Sequence, residues 1–278
     1  MAENTAQSTE RDTSPTLSSG IPLAVSAIAS ALGSLANRFD VDVLDECDST
    51  NSQLLQRAQA GAPSGTVLVA ERQTAGRGRL GRHWYSGDGV SLTFSLLWRP
   101  PAELALDGLS LAVGVAIADV LTALGINDIA LKWPNDLLRQ GRKLGGILIE
   151  LVSGGSGSPR AVIIGIGLNL HLPDNLPDDV RLASAGLALD IDRNSLLARL
   201  LQQLHLALGQ FVHDGFGGFH ARWQTLNAFQ GQQIRIQSAF TVLQEGRCQG
   251  VDDDGALLLQ TAQGVQRIIS GDVSLRPA

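Results

Sequence analysis

The stretch from Gly76 to Gly81, GRGRLG, constrains the fold more than any other part of this sequence. Its spacing matches the G-x-G-x-x-G pattern of dinucleotide-binding turns, which requires a strand before the glycines and a helix after them. A β-rich segment, TVLVAE at 66–71, does precede it, but the next regular segment, GVSLTFSLLWRP at 89–100, is β-rich as well. The sequence therefore predicts a loop between two strands and excludes a Rossmann turn.

The charge of this loop differs from that of the rest of the chain. The 278 residues carry a formal net charge of −6 and a pI near 5.3, whereas Arg72, Arg77, Arg79 and Arg82 all lie between positions 72 and 82. Neighbouring cations repel one another and glycines are costly to order, so we expect the loop to become ordered around an anion. The acidic background favours a small anionic ligand over a nucleic acid. A solvated surface hairpin stays open as the alternative.

The cysteines and the apolar segments indicate the cellular compartment. Cys47 and Cys248 are the two cysteines, and they lie far apart and form neither a disulfide framework nor a zinc motif. The apolar run at 21–36 follows an acidic, polar lead rather than the basic one of a signal peptide. No apolar stretch is long enough to span a bilayer. We therefore expect a cytoplasmic protein with no membrane partner.

Composition divides the chain into three parts. Residues 1–20 are rich in Ser, Thr and Glu and predict a disordered polar tail. Residues 21–228 mix helical and β-rich segments and predict one α/β domain that carries the site. Residues 229–278 contain short strands separated by Gly, Asp or Gln turns and predict a small β-barrel.

Within the middle part the patterns predict an alternation of helices and strands. Helices are predicted at 23–39, 48–61, 107–125, 194–212 and 217–227. Strands are predicted at 66–71, at 89–100, three times within 129–152, and at 160–170, with a flexible connector at 153–159.

A second group of polar residues lies in the meander predicted for 129–152. Lys132 and Lys143 are flanked by apolar sequence, where a lysine must pair or function if it faces the core and simply extends to solvent if it faces out. Gly145 and Gly146 would clear space for a ligand to approach the strand. Asp136 fits either ordinary turn chemistry or the binding of Mg²⁺ beside phosphates.

Taken together, these segments resemble those of the biotin–protein ligases. The resemblance rests on DSTN at 48–51, ERQTAGRGRLGRHW at 71–84, KWPNDL at 132–137, RKLGGILIE at 142–150 and GIGLN at 165–169, in that order. It covers roughly residues 41–278, and the combination of GRGRxGR with KWPND is highly specific. It implies an α+β fold with a mixed, mostly antiparallel sheet and helices, as in class II synthetases, and a C-terminal SH3-like barrel.

The resemblance also implies a two-step reaction. The carboxylate of biotin attacks the α-phosphate of ATP to give biotinyl-5′-AMP and pyrophosphate, and a lysine of a biotin carboxyl carrier protein then attacks the mixed anhydride. Mg²⁺ is implied as the cofactor that accompanies ATP. The planar fork of arginine suits carboxylate and phosphate alike, and a loop that closes over the intermediate would protect it from water.

The site residues implied by the resemblance fall into three overlapping groups. The biotin contacts are Ser49, Thr50, Gln73, Gly76, Arg77, Arg79, Lys143 and Gly146. The ATP contacts are Arg79, Arg82, Trp84, Lys143 and Asn169, with Trp84 stacking on adenine and Asn169 hydrogen-bonding to it. The catalytic residues are Lys143, Arg79, Arg82 and Asp136, where Lys143 bridges the biotin carboxylate and the α-phosphate and Asp136 is also the candidate Mg²⁺ ligand. Arg276 is a further candidate on the ATP side.

The chain departs from bifunctional members of this family, which carry an N-terminal DNA-binding winged helix. At most 40 residues precede the catalytic region, so we expect a monofunctional ligase that binds no operator DNA. The family also suggests a homodimer formed through sheet edges. Two alternatives stay open: a lipoate–protein ligase, whose arginine–glycine arrangement differs and which lacks the KWPND run, and a non-catalytic biotin-responsive regulator.

Overall fold

A computed structural model describes residues 21–152, 160–174, 176–188, 191–238, 241–269 and 273–277. The predicted polar tail at 1–20 and the predicted connector at 153–159 lie outside these residues.

The larger part of the molecule is built on a seven-stranded sheet. Its strands are β1 Asp40–Cys47, β2 Thr66–Gln73, β3 Ser91–Trp98, β4 Ile129–Lys132, β5 Asp136–Arg139, β6 Arg142–Val152 and β7 Ala161–Asn169. They lie in the order β1-β2-β3-β7-β6-β5-β4. β1 and β2 are parallel, and the remaining neighbours are antiparallel. The prediction of a mixed, mostly antiparallel sheet is confirmed.

Six α-helices accompany the sheet in the described part of the chain. They are α1 Val25–Leu32, α2 Thr50–Gln59, α3 Leu109–Ala123, α4 Asp178–Ala183, α5 Arg193–Asp214 and α6 Gly217–Leu226. The single helix predicted at 23–39 is interrupted, because α1 ends at Gly33 and the chain continues as a 3₁₀ helix over Gly33–Arg38. Gly33 has a positive φ of 58°, a conformation that glycine adopts at little cost.

The pleat of the central strands sorts their side chains onto two faces. In β3, Leu92, Phe94 and Leu96 join the main hydrophobic core, whereas Ser91 and Ser95 lie on the opposite face. β7 repeats this arrangement, because Val162, Ile164, Ile166 and Leu168 belong to the same core and alternate with Ile163, Gly165, Gly167 and Asn169. One face is therefore apolar and the other is lined by small and polar groups.

Helices cover the two faces unequally. α3 packs against α5 and the apolar face, which explains why eleven of its fifteen residues are buried. The other face is covered locally by α2, whose Leu54 and Ala58 pack with Leu97 and Ile163 in a second, smaller cluster. Beyond this cluster, small and polar residues of β3 and β7 line a cavity.

The C-terminal part is a five-stranded antiparallel sheet. Its strands are β8 Gln233–Ser238, β9 Thr241–Val251, β10 Leu257–Thr261, β11 Gly264–Ile268 and β12 Val273–Pro277, in the order β11-β10-β9-β8-β12. Six of its buried residues belong to the same hydrophobic core as the larger part: Ile234, Ile236, Cys248, Val251, Leu257 and Leu259. The predicted α+β fold class is confirmed, and the part predicted as a small SH3-like β-barrel forms this antiparallel sheet. The predicted division after residue 228 falls between α6 and β8.

None of the helices in the described part of the chain is both long enough and apolar enough to cross a bilayer.

Candidate functional site

The polar face of the sheet forms the floor of a site beside the N-terminus of α2. Gly165 and Gly167 of β7 are required there, because a Cβ at Gly165 would lie 2.1 Å from Asn51 Oδ1 and one at Gly167 would lie 2.5 Å from Cε2 of Trp84. The segment GIGLN therefore alternates large core residues with glycines over which other side chains lie directly.

A buried hydrogen-bond network joins α2 to the floor. The backbone N–H of Thr50 donates to Oε1 of Gln73 at 2.7 Å, and the Thr50 hydroxyl lies 3.2 Å from the same oxygen. The Ser95 hydroxyl lies 2.8 Å from Thr50 Oγ1 and 2.5 Å from Asn51 Oδ1, and Ser49 beside it is 2% exposed. Three residues named from the sequence therefore meet here, together with Asn51 and Ser95, which sequence reasoning missed. The alternation of hydroxyls with large apolar residues in β3 was the signal that could have identified Ser95.

The arginine-rich loop forms a short antiparallel hairpin, which we call the arginine hairpin and define as residues Gly76–Trp84. The Trp84 N–H donates to the Gly76 carbonyl at 2.9 Å, and the Gly78 N–H donates to the Arg82 carbonyl at 2.7 Å. Leu80 and Gly81 turn the chain with φ values of 57° and 69°. A Cβ on Gly76 would lie 2.3 Å from the Trp84 carbonyl oxygen, so this position requires glycine.

The arginine hairpin lies over the polar face and is held there by side-chain contacts. Arg77 Nη2 lies 2.6 Å from Oε1 of Glu150 on β6, and Arg77 Nη1 donates to the Ser52 hydroxyl at 3.2 Å. Arg79 Nη1 donates to Asn135 Oδ1 at 3.4 Å. Sequence reasoning did not identify Glu150 or Asn135 as partners of these arginines.

A carboxylate between two lysines lies at one end of the site. Asp136 Oδ1 is 2.6 Å from Lys143 Nζ, and Asp136 Oδ2 is 3.2 Å from Lys132 Nζ. Burial alone would raise the pKa of Asp136, but the ammonium groups of Lys143 and Lys132 outweigh it and hold the pKa below its usual range. Burial lowers the pKa of Lys132, and its attraction to Asp136 opposes that effect only in part. Asp136 is therefore ionised at neutral pH and neutralises part of a cationic region.

Further cations complete this region. Arg276 from β12 and Arg82 lie in one cavity with Lys132, Lys143 and Asp136. The pKa of Arg276 is lowered by burial and then by the nearby charge of Arg82. No group of three or more His, Cys, Asp or Glu residues that could hold a metal ion occurs within the ranges described. The assignment of Asp136 as a Mg²⁺ ligand stays a prediction, and both its oxygens face lysines.

Of the two residues assigned to adenine, Trp84 lies where the two regions meet, whereas Asn169 is buried at the end of β7 and is not among the residues that line either region. The Trp84 ring rests on Gly167, and Lys143 Nζ lies 5.7 Å from the ring centroid. The Trp84 Nε1 is buried with no hydrogen-bond partner among the residues described. Asn169 is 6% exposed and its Nδ2 donates to the Ala185 carbonyl at 3.2 Å.

Two adjoining cavities result. The first, which we call the neutral chamber after the uncharged side chains of its floor, is lined by hydroxyls, amides and glycines from Ser49, Thr50, Gln73, Gly146 and Gly165, and also by the cations Arg77, Arg79 and Lys143. The second, the cationic chamber, is lined by Arg82, Lys132, Asp136 and Arg276. Both are bounded by Gly78, Arg79, Trp84, Asn135 and Lys143. The structure thus brings the predicted biotin contacts Ser49, Thr50, Gln73, Arg77, Arg79, Lys143 and Gly146 to one chamber and places Arg82 and Asp136 in the other, while Gly76 closes the base of the arginine hairpin.

Comparison with known proteins identifies the family. The sequence model of the Biotin/lipoate A/B protein ligase family matches residues 43–169, and that of the Biotin protein ligase C terminal domain matches residues 229–276. The bifunctional ligase/repressor BirA of Escherichia coli is 38% identical over 244 residues, which cover 86% of this chain and 74% of BirA. The chain belongs to the biotin protein ligase family.

Two further family members show how far the similarity extends. The biotin–[acetyl-CoA-carboxylase] ligase of Mycobacterium tuberculosis is 35% identical over 245 residues, which cover 84% of this chain and 88% of that enzyme. The solved structure of the biotin protein ligase from Aquifex aeolicus in complex with biotin and ATP superposes with a TM-score of 0.75 at 30% identity. It covers 86% of this chain and 99% of its own. The resemblance to biotin–protein ligases that the sequence motifs indicated is confirmed.

Proposed function

We propose that this protein is an ATP-dependent biotin–protein ligase that forms biotinyl-5′-AMP and transfers biotin to a lysine of a biotin carboxyl carrier protein. The observation that carries the proposal is the shared wall of the two chambers. The hydrogen-bonding floor of the neutral chamber suits the ureido ring of biotin, its cations suit the carboxylate of biotin, and the cationic chamber suits a triphosphate. Lys143 and Arg79 line both, so they lie where a carboxylate and a phosphate would meet.

The first step needs the positive charge that these residues supply. A carboxylate oxygen of biotin attacks the α-phosphorus of ATP, a new P–O bond forms, and the bond to the β-phosphate breaks to release pyrophosphate. The two reactants repel each other and charge accumulates around phosphorus in the transition state. We assign Lys143 to bridge the carboxylate and the α-phosphate, and Arg79 and Arg82 to hold the phosphates.

Asp136 has a different part in this proposal from that of a metal ligand. Its two oxygens face Lys143 and Lys132, so it keeps two like charges close together before substrate arrives. When phosphate oxygens enter, they compete with Asp136 for Lys143. Mg²⁺ enters with ATP as part of the substrate and is coordinated chiefly by phosphate oxygens.

The adenine end of ATP is assigned to Trp84 and Asn169. The indole provides a flat surface beside the cationic chamber, and Asn169 provides an amide at the end of β7. In the second step the amine of the acceptor lysine attacks the carbonyl carbon of the mixed anhydride, the amide bond forms, and AMP leaves.

ATP–pyrophosphate exchange tests the proposal. We expect exchange that depends on biotin and is not supported by lipoate at the same concentration. Exchange with lipoate but not with biotin would favour the lipoate–protein ligase alternative, and no exchange with either would favour a non-catalytic regulator. Two expectations stay predictions: that the protein binds no operator DNA, and that it forms a homodimer. A gel shift with operator DNA would test the first, and sedimentation would test the second.

A further inference from the structure

Ser95 lies directly behind the floor of the neutral chamber. Its side chain is fully buried on β3, and Ser95 is not among the residues that line the chamber. Its hydroxyl lies 2.8 Å from Thr50 Oγ1 and 2.5 Å from Asn51 Oδ1. Thr50 and Asn51 do line the chamber. Ser95 therefore acts on a bound ligand only through these two side chains.

The orientation of the Asn51 amide decides where the hydroxyl hydrogen of Ser95 goes. Asn51 Nδ2 donates to the Leu148 carbonyl at 3.3 Å and to Glu150 Oε2 at 2.8 Å. A flipped amide would place its oxygen against these two acceptors, so the nitrogen faces β6 and the oxygen faces Ser95. An amide oxygen only accepts, and a serine hydroxyl has one hydrogen. That hydrogen is therefore donated to Asn51 Oδ1, and Ser95 Oγ is left as an acceptor toward Thr50.

The hydroxyl hydrogen of Thr50 then has two acceptors inside the protein. Ser95 Oγ lies 2.8 Å from Thr50 Oγ1, and Gln73 Oε1 lies 3.2 Å from it. Gln73 Oε1 already accepts from the Thr50 backbone N–H at 2.7 Å, so the shorter contact with Ser95 is favoured. Toward the chamber, Thr50 is left with a lone pair and no hydrogen. It accepts from a ligand and does not donate to it.

We propose that Ser95 is a positioning residue that sets the hydrogen-bond polarity of the chamber floor by making Thr50 an obligatory acceptor. The floor then selects a ligand that offers an N–H at this point. It rejects one that offers an oxygen, because two facing lone pairs would stay unpaired and out of contact with water. The inference rests on the proposed function, in which the ureido ring of biotin supplies the N–H groups.

Binding of biotin is compared with that of two analogues, cyclic carbamates in which one or the other ring N–H is replaced by oxygen. Calorimetry without ATP measures the Kd of each. In the wild-type protein, the carbamate whose ring oxygen faces Thr50 should bind about 100-fold more weakly than biotin.

Replacing Ser95 should reduce this discrimination. In Ser95→Ala, the Thr50 hydrogen is held only by the longer, shared contact with Gln73 and is free to turn toward the ring oxygen. We expect biotin to bind about ten-fold more weakly and the same carbamate to bind about as before, so the discrimination falls to about ten-fold. The second carbamate should lose affinity together with biotin.

Ser91→Ala is the matched control. Ser91 is also fully buried on the same face of β3, and its hydroxyl accepts from the Gly87 N–H at 3.3 Å. This variant should keep the wild-type Kd for biotin and the wild-type discrimination. If Ser95→Ala weakens biotin and both carbamates by the same factor, or if Ser91→Ala changes the discrimination as much, the role of Ser95 is only structural and the inference is overturned.

Urea unfolding of the ligand-free protein separates the inference from the proposed function. Ser95→Ala and Thr50→Val both break the contact between the two hydroxyls, so the urea midpoint of the double variant should fall by less than the sum of the two single falls. Additive falls would overturn the inference. If Ser95→Ala does not fold, Ser95→Cys, whose thiol is a weaker donor, takes its place in both measurements. A wild-type protein that binds no biotin would defeat the proposed function, while the midpoints would still decide whether Ser95 holds Thr50.

Discussion

Lys143 contacts both a charged and an aromatic group of the site. Its Nζ lies 2.6 Å from Asp136 Oδ1, and the same group lies 5.7 Å from the centre of the Trp84 ring. The side chain runs over Gly146, where a Cβ would be 3.3 Å from Nζ. These contacts fix the ammonium group between the two chambers.

Replacing Lys143 tests this assignment. We expect Lys143→Ala to lower biotin-dependent pyrophosphate exchange by about 100-fold or more, because it removes a cation preorganised for charge that develops at phosphorus. Asp136 would keep Lys132 as a partner, so the protein should still fold. Circular dichroism of the variant provides the control, and exchange within a few-fold of wild type would contradict the role given to Lys143.

Gly167 gives a second test at the level of single residues. A Cβ there would lie 2.5–2.8 Å from three atoms of the Trp84 indole, so Gly167→Ala should push the ring from its position. We expect a loss of about 1–3 kcal/mol in unfolding free energy, typical of overpacking, and a shift of tryptophan emission to longer wavelength.

The matched control is Gly209→Ala in α5, where a Cβ would meet nothing within 4 Å. Because alanine is favoured over glycine in a helix, this change should stabilise the protein by about 0.5–1 kcal/mol. Unchanged emission and stability in Gly167→Ala would show that Trp84 does not occupy this position in solution.

At the scale of elements, a side-chain cap fixes the N-terminus of α5. Its N-cap Asp192 accepts hydrogen bonds from the backbone N–H groups of Asn194 and Ser195 at 3.2 and 3.0 Å, and from the Ser195 hydroxyl. Burial alone would raise the pKa of Asp192, but the hydrogen bonds from the Ser195 and Asn194 side chains and both backbone groups outweigh it and leave the pKa below its usual range.

Because the pKa of Asp192 is lowered in the folded protein, the contribution of this cap to the unfolding free energy depends on pH. The unfolded chain has an Asp pKa of about 3.9, so the stabilisation is complete above that value and is lost as the pH falls through the lower pKa of the folded state. We expect Asp192→Ala to cost about 1 kcal/mol of unfolding free energy at pH 7 and less below about pH 3.5. Urea unfolding at several pH values measures both.

Asp192→Asn is the matching variant, since asparagine caps helices nearly as well but carries no charge. It should retain most of the stability at pH 7. A cost for Asp192→Ala that is the same at pH 7 and at low pH would contradict the pH dependence argued for this cap.

Most elements could be predicted from the chain because their signals are local. The helix predicted at 48–61 forms as α2, and the three strands predicted within 129–152 form as β4, β5 and β6. The single helix predicted at 23–39 was wrong beyond Leu32, because a glycine with positive φ ends α1 there. α4 was not predicted, since six residues give too little periodicity to recognise.

At the scale of the whole molecule, the larger part and the C-terminal part are joined by a common core and by hydrogen bonds. The Trp133 indole N–H donates to the Gly255 carbonyl at 3.1 Å, and His220 Nε2 lies 2.8 Å from the Val251 carbonyl oxygen. Together with Cys248 and Val251 in the main core, these contacts couple the stability of the C-terminal sheet to that of the larger part.

We therefore expect both parts to unfold in urea in one transition. The four tryptophans all precede residue 229 and report on the larger part, while the fully buried Cys248 reports on the C-terminal sheet. In a Cys47→Ala variant, labelling of Cys248 by a thiol reagent should follow the same urea midpoint as the fluorescence. Labelling that is complete at urea concentrations well below that midpoint would contradict the coupling.

The sequence by itself indicated most of the helices and strands, apart from β1 and α4, and the identity of the family, because these depend on local periodicity and on uncommon motifs such as GRGRxGR and KWPND. Only the tertiary structure decided which side chains meet. Strand register and the packing of the elements decide these contacts. Examples are Glu150 with Arg77, Asn51 with Gly165, and Asp136 with both lysines. A period-two pattern tells which face of a strand is polar, but which element lies over that face follows from packing of the whole chain.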